Sequence, residues 1–455
     1  MIARDEAKNL PACLASVRGV VDEIIVCDTG SVDDTVAIAQ AAGARVVHFP
    51  WVNDFSAARN AALAASTGDW ILSLDADERL GPGEGPALRA AIEDPGVDCI
   101  FMPLHDASRL DATPAEVLSG AARQETPVLL PRLLRRTPDL CWREAIHENI
   151  DHWMAPREAR CQGRRLNIVH YGAVPSLRAD LGKSKRNRAL LEAGIAADPG
   201  NLRLRGFLLY EHGAEMPIAE LRASLAEAWA HLTEQADRLG PTHRKSHGIK
   251  IGGLCALLEL SLGDAALGRA VVRACEAWGV DHPNLWWAAG RSREWDHASD
   301  GDPRALLDAD HLYSRCLTGS AIWSVPVLAG VSSWRSALRR GIVRVQQGRL
   351  DEAEADLRAA SEGPAPFSGE AGVALALIAS LRGDPRQALQ GIKPLLASQG
   401  PDGWLVAARC VLQIGGMTQA RDWLGRSEAA GRPPAPYLLP VAETLRASLA
   451  KPAPT

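Results

Sequence analysis

The chain lacks the marks of several function classes. Its nine cysteines (Cys13, Cys27, Cys99, Cys141, Cys161, Cys255, Cys275, Cys316 and Cys410) are odd in number, widely spread and never spaced as CxxC. A disulfide framework and a structural zinc site are therefore not expected, and reduced thiols are. Lys and Arg form no long run and there is no acidic tail. A formal net charge of -5 is small for 455 residues, so electrostatic capture of nucleic acid is not expected. No apolar run reaches the roughly 18 residues that a membrane span needs. The opening stretch, MIARDEAKNLPACL, carries charge at once and has no apolar core of about 7–15 residues, so no secretory leader is expected and the chain reads as soluble and cytoplasmic. Phe and Tyr are scarce, 5 and 4 residues, against 13 Trp. Sugars stack on indole faces, and the adjacent Trp286 and Trp287 are the most conspicuous instance, but they fall in a helical stretch where packing is the simpler account.

What is present is enough to bury more than one core: 47% of the residues are hydrophobic and 23% charged. VVDEIIVC (Val20–Cys27) reads as a strand, Val32–Ala42 as a helix stopped at Gly43, RVVHF as a strand, Phe55–Ser66 as a helix, and WILSLDAD from Trp70 as a strand ending in acids. Such alternation implies a mostly parallel α/β sheet with ligands at the carboxyl ends of its strands. Only Met1, Ile2 and Ala3 precede Arg4, which makes the first strand short. Residues 106–126 are small and polar and read as an insertion or lid beside the site. RRLNIVHYG is strand-like, and a helix over about 175–197 closes this domain, assigned to residues 1–198.

Beyond Asp198, Ala and Leu at helical spacing dominate. GRLDEA, GDPRQA and GGMTQA each join a glycine to an alanine five residues on, and Ala353, Ala388 and Ala420 lie 35 and then 32 residues apart. That is close to the roughly 34-residue period of tetratricopeptide repeats. We therefore expect a degenerate helical region at 199–340, with Gly263–Gly268 (GDAALG) as an earlier unit, repeats at 341–430, and a poorly structured Pro-rich tail at 431–455.

Asp75 and Asp77 flank Ala76 at the end of the Trp70 strand. Two carboxylates around a small residue suit an oxygen-preferring cation such as Mn²⁺ or Mg²⁺, which can bridge them to a diphosphate and neutralise charge on a leaving group. A merely solvated turn of Asp75, Asp77 and Glu78 is the alternative.

DEAKNLPACLASV, VDEIIVCDTGSVDDT, HFPWVNDFSAARNAAL and TGDWILSLDADE, in this order, resemble the N-terminal half of family 2 glycosyltransferases with the GT-A fold. The likeness covers about residues 1–172, including AIHE and IVHYG. With helical repeats behind it, the whole is similar to bacterial enzymes that include lipopolysaccharide-core glucosyltransferases and sublancin-type S-glycosyltransferases of peptides.

The resemblance implies an inverting, metal-dependent transfer of a hexose from a UDP-sugar donor to a peptide, protein or glycan acceptor held partly by the repeats. It implies that Asp28 binds the uracil, and that Arg4, Asp5 and Glu6 line the nucleotide pocket. Arg59 and Asn60 would lie by the diphosphate. Asp75, Ala76 and Asp77 would form the metal and nucleotide motif with Asp77 as the more direct ligand, and His170 would complete the metal site. Glu148 is the candidate base, with His147 and Glu144 as other choices. Lys183, Lys185, Arg186 and Arg188 form a basic cluster that suits a diphosphate, an acidic acceptor or plain solvent. A nucleotidyltransferase is disfavoured because no GxGTR-type loop follows the first strand. A repeat-type interaction protein with an inactive transferase domain is the remaining alternative.

Overall fold

The computed structural model describes residues 1–124, 127–174, 181–262, 265–318, 325, 327–431 and 433–450, with the backbone alone at 181–183 and 265. The chain divides into two compact units, Met1–Ile251 with Ser320–Pro326, and Gly252–Gly319 with Val327–Thr455. Among the described residues no helix is long and apolar enough to cross a membrane.

The first unit opens with three parallel strands, β1 (Ile2–Ala3), β2 (Ile25–Asp28) and β3 (Arg45–His48), in the order β1-β2-β3. Helix α1 (Leu10–Val17) and helix α2 (Thr35–Ala41) are the crossovers. Successive strand residues point to opposite faces. Val26 accordingly packs with Leu10, Leu14 and Ala39 on one side. Ile25 and Cys27 pack with Ala58 and Ala62 of helix α3 (Phe55–Ala65) on the other. The Asp54 side chain accepts from the Ala57 N–H and starts α3 as an N-cap.

The expectation of a mostly parallel sheet holds only this far. Strands β4 (Trp70–Leu72), β5 (Glu78–Leu80), β6 (Cys99–Asp106), β7 (Val128–Arg135), β8 (Cys161–Gly163) and β9 (Ile168–His170) form a mixed sheet, in the order β4-β7-β6-β9-β5 with β8 on β6. The β4–β7, β6–β7 and β5–β9 ladders are antiparallel. The acids are also not a simple strand end. β4 stops at Leu72, and residues 73–77 carry the chain from one end of that strand order to the other. The crossing closes on itself: the Glu78 carboxylate accepts from the Asp75 N–H at 2.9 Å and the Glu78 N–H donates to the Asp75 carbonyl at 3.0 Å.

The 106–126 segment, described up to residue 124, is not a loose lid. Thr113 and Glu116 form a capping box on the helix Pro114–Ser119. Ala107, Ala112, Val117 and Ala122 bury against Val169, Tyr171 and Val174. The closing helix runs Leu181–Ala197, and the expected start at 175–180 lies outside the described residues. The first unit also continues past residue 198: Leu204, in helix Leu202–His212, buries with Leu191 and Ile146.

The second unit is a series of helix hairpins. Trp334–Gln346 pairs with Leu350–Ser361, Phe367–Leu381 with Pro385–Ile392, and Leu396–Gln413 with Met417–Glu428. The three repeat motifs sit at the turns of these pairs. Gly348, Gly383 and Gly415 have φ of 75°, 88° and 88°, a left-handed conformation that glycine adopts without strain. The residue after each glycine donates to a carbonyl five positions back, the Schellman pattern. Ala353, Ala388 and Ala420 are buried in the core that these hairpins share.

A further hairpin, Pro283–Asp300 with Pro303–Thr318, turns at Gly301 (φ 70°) and carries the same GDPR tetrapeptide as Gly383–Arg386. Its alanine, Ala305, comes one position early, so the motif spacing missed it. Of GDAALG, the first two residues lie outside the described residues. The tail is more ordered than its prolines suggest: Leu439–Leu449 is a helix whose Leu445 and Leu449 join the core of the repeats, while residues 432 and 451–455 lie outside the described residues. Trp286 and Trp287 are core residues of this unit, with the Trp286 indole N–H donating to Asp281.

Candidate active site

The first unit holds an open cleft of about 760 Å³. Three chain segments meet on it. Ile2 to Glu6 form the end of β1 and the turn after it, Asp75–Asp77 form the crossing between β4 and β5, and Ile146–Glu148 form the tip of a loop. That loop is closed by reciprocal backbone bonds between Arg143 and Asn149. Trp51, Phe55, Arg59, His170, Arg186 and Asn187 complete the walls.

Of the residues expected from sequence, Arg4, Asp5, Glu6, Arg59, Asp75, Ala76, Asp77, His147, Glu148 and His170 all line this cleft. Three others do not. The buried Asp28 carboxylate accepts from the Gly30 and Ser31 N–H groups and lies 3.6 Å from His48 Nδ1, so it caps its own turn, and Thr29 takes its place on the cleft wall. An Asp at a strand end before Thr-Gly-Ser can close an Asx turn. Asn60 is clipped to the backbone of Trp142, donating to its carbonyl at 2.9 Å and accepting from its N–H at 2.8 Å. Glu144 turns to the far side of the loop, toward Asn201 at 3.2 Å and Arg203 at 3.4 Å. In the basic cluster only Arg186 lines the cleft, Arg188 pairs with Glu192 and Glu220, and the side chain of Lys183 lies outside the described residues.

The charges on the cleft floor alternate. Arg59 Nη2 lies 2.9 Å from Asp75 Oδ1, and Arg59 Nε donates to Glu148. On its other side Asp75 faces Arg132 Nη2 at 3.7 Å, and Arg132 pairs with the buried Glu78. Asp75 is thus held between two guanidinium groups. Asp77 stands apart from them, with its Oδ2 3.5 Å from His170 Nε2, while His170 Nδ1 meets Asp106 at 2.7 Å. The match to known proteins follows this layout. Residues 1–155 match the family model described as glycosyl transferase family 2.

These residues form a family 2 glycosyltransferase domain.

A TPR repeat-containing protein of Synechococcus elongatus is 39% identical over 221 residues, which cover 46% of this chain and 52% of the relative. The SPbeta prophage-derived glycosyltransferase SunS of Bacillus subtilis is 28% identical over 209 residues, 44% of this chain and 45% of SunS. The chain spans about half the length of the curated relatives it matches. Among solved structures, a tetratricopeptide repeat protein from Parabacteroides merdae is similar at 15% identity, covering 60% of this chain and 94% of that one with a TM-score of 0.37.

In the glycosyltransferase domain the surroundings set the charge of each group. Burial opposes ionisation of Asp75, but Arg59 and Arg132 overcome it and hold the carboxyl well below the usual range. Burial dominates at Glu78 and pushes it up to about 7 despite Arg132. Burial would lower His170, yet its bonds to Asp106 and Asp77 raise it to about 10.

Four residues contact the cleft-lining groups from behind, and of these only Glu78 is singled out from sequence, in a solvated turn with Asp75 and Asp77. Glu78 adjoins the acidic motif, which is the signal for it. Arg132 is a lone cation inside the apolar strand PVLLPRLL, a pattern that signals a buried partner. Asp106 was read as the start of a lid, and nothing in sequence tied it to His170. Gly172 matters for its missing side chain, since a Cβ there would stand 2.0 Å from Asp77 Oδ2 and 2.8 Å from His170 Nε2.

Proposed function

We propose that the chain is an inverting, metal-dependent transferase that moves a hexose from a UDP-sugar to an acceptor. The observation that carries this reading is the convergence, on one cleft of the transferase domain, of the Asp77–His170 pair and the Arg59-bound Glu148.

Asp77 and His170 would suit Mn²⁺ or Mg²⁺, the cation displacing the proton that the two carboxylates hold on His170, because a ligating imidazole is neutral. Asp106 occupies His170 Nδ1 and turns Nε2 toward Asp77, the arrangement in which a second carboxylate orients a ligating histidine. Gly172, having no side chain, lets Asp77 and the His170 ring come together against its backbone. Among the described residues no group of three or more His, Cys, Asp or Glu is assembled as a ready metal cage, so diphosphate oxygens and water would supply the other ligands. A cation held there would neutralise charge on the departing diphosphate. Arg4, Asp5 and Glu6 border the nucleotide. Glu148 takes the proton from the acceptor as it attacks from the side opposite the diphosphate. The cysteines are all free thiols, which supports a cytoplasmic setting.

For the acceptor we favour a peptide or protein over a glycan such as a lipopolysaccharide core, because hairpin repeats build surfaces that suit extended polypeptides. The same repeats support a second reading, an interaction protein with an inactive transferase domain. Calorimetric titration with UDP and Mn²⁺ separates the two. Metal-dependent UDP binding by the wild-type chain, lost in Asp77→Ala, is the expected result. Absence of UDP binding would favour the interaction protein.

A further inference from the structure

Three neighbouring positions on α3 are tied to the loop that carries Glu148. The Phe55 N–H donates to the Ala145 carbonyl at 2.9 Å, Arg59 Nε donates to Glu148, and Asn60 clips both backbone groups of Trp142. Positions 55 and 59 lie one above the other on a helix, so these ties run along one edge of α3. The loop needs such support, because Glu144 and His147 hold left-handed φ values of 72° and 51° that cost energy for residues other than glycine. Its other side is held by Arg203, which reaches the His147 carbonyl and Asp151, both at 3.1 Å.

The Arg59 side chain is only 11% exposed and lies between two carboxylates, donating to Glu148 of the loop and ion-paired with Asp75 of the crossing. Its planar fork fixes both at once, which a lysine ammonium cannot do. Two of its three nitrogens, Nε and Nη2, already face these carboxylates. We infer that Arg59 is a positioning residue rather than a diphosphate ligand: it spans the cleft floor and sets the place of Glu148 relative to the Asp75–Asp77 crossing.

This rests on the transferase reading, and the test separates the two. Binding of UDP in the presence of Mn²⁺ and the rate of UDP release are compared for the wild-type chain, Arg59→Lys and Glu148→Gln, using whichever member of a UDP-sugar panel the wild type cleaves fastest. With Arg59 as a brace, Arg59→Lys keeps its UDP affinity within about threefold of wild type, while UDP release slows by about 100-fold, as it does in Glu148→Gln. The doubly substituted chain is no slower than either single one. A loss of UDP affinity of about tenfold or more in Arg59→Lys makes Arg59 a diphosphate ligand and overturns the inference. Glu148→Gln gives an independent check, because an Arg59 freed for the diphosphate would tighten UDP by a similar factor, whereas a brace leaves it unchanged. Failure of the wild-type chain to bind UDP refutes the transferase reading alone. Thermal unfolding then decides the brace: a double variant whose Tm falls well short of the summed single losses upholds it, and additive losses overturn it.

Discussion

Both units bury charge, and they do so to different ends. In the helical unit Glu294 accepts from Tyr313 at 2.6 Å, from Arg291 at 3.0 Å, and from Arg339 through both of its oxygens, while Arg339 also reaches Glu370 at 2.8 Å. Every oxygen of that carboxylate is engaged by a neighbouring helix, so the cluster joins successive hairpins. In the transferase domain the charges also alternate, but Asp77 and Glu148 end the chain of contacts at a cleft wall. A buried carboxylate surrounded by donors holds a fold together, whereas one with capacity left at a cavity can take a ligand or a proton.

The sharpest break in this comparison comes from Asp77→Ala. UDP release from a UDP-sugar is expected to fall by about 10³-fold with at most a small loss of Tm, since the 3.5 Å pair of Asp77 with His170 is partly exposed. A matching loss of Tm would place Asp77 with the structural carboxylates. Arg339→Met does the reverse. Leaving Glu294 buried without its main partner costs about 3–5 kcal/mol, read as a lower urea midpoint, and the folded fraction still binds UDP with Mn²⁺.

Next in size is Gly172→Ala. The new methyl displaces Asp77 from His170, and Mn²⁺ affinity drops by about tenfold in calorimetry, with little change in UDP binding measured without metal. The helical unit also answers to acid. Burial opposes ionisation of Glu294, yet Arg339 and Arg291 prevail and its folded-state pKa lies below the ordinary value. Its stabilising contribution is therefore complete above a pH of about 4.5 and is lost as pH falls through the lower folded-state value. In Glu294→Gln, circular dichroism should show a flatter dependence of stability on pH below about 4. The smallest effect is expected from Arg188→Ala, a half-buried residue of helix Leu181–Ala197. Its pairs with Glu192 and Glu220 contribute about 0–1 kcal/mol, and the melting curve should scarcely move.

Much of this was legible from local pattern, because the responsible forces are local. Turn glycines and close-packed alanines recur at a fixed spacing wherever a helix hairpin must turn and pack, so GRLDEA, GDPRQA and GGMTQA located three hairpins directly. The apolar, β-branched run that ends at Cys27 marked β2 for the same reason. Residues whose meaning depends on partners were harder. Asp28 and Asn60 stand where donor-binding residues are expected, yet each has a nearer backbone partner. Glu78 and Arg132 are separated by 54 residues, and only the sheet brings them together.

The sequence by itself determined that a family 2 transferase motif set precedes a helical repeat array, and that Asp75, Asp77, Glu148 and His170 belong with the first. These follow from residue type and short-range order, which the chain carries wherever it folds. Tertiary structure decided which carboxylates are held and which face the cleft. Arg59 and Arg132 converge on Asp75 and Asp106 fixes His170, because burial makes an unpaired charge costly and each must find its counter-charge across the fold.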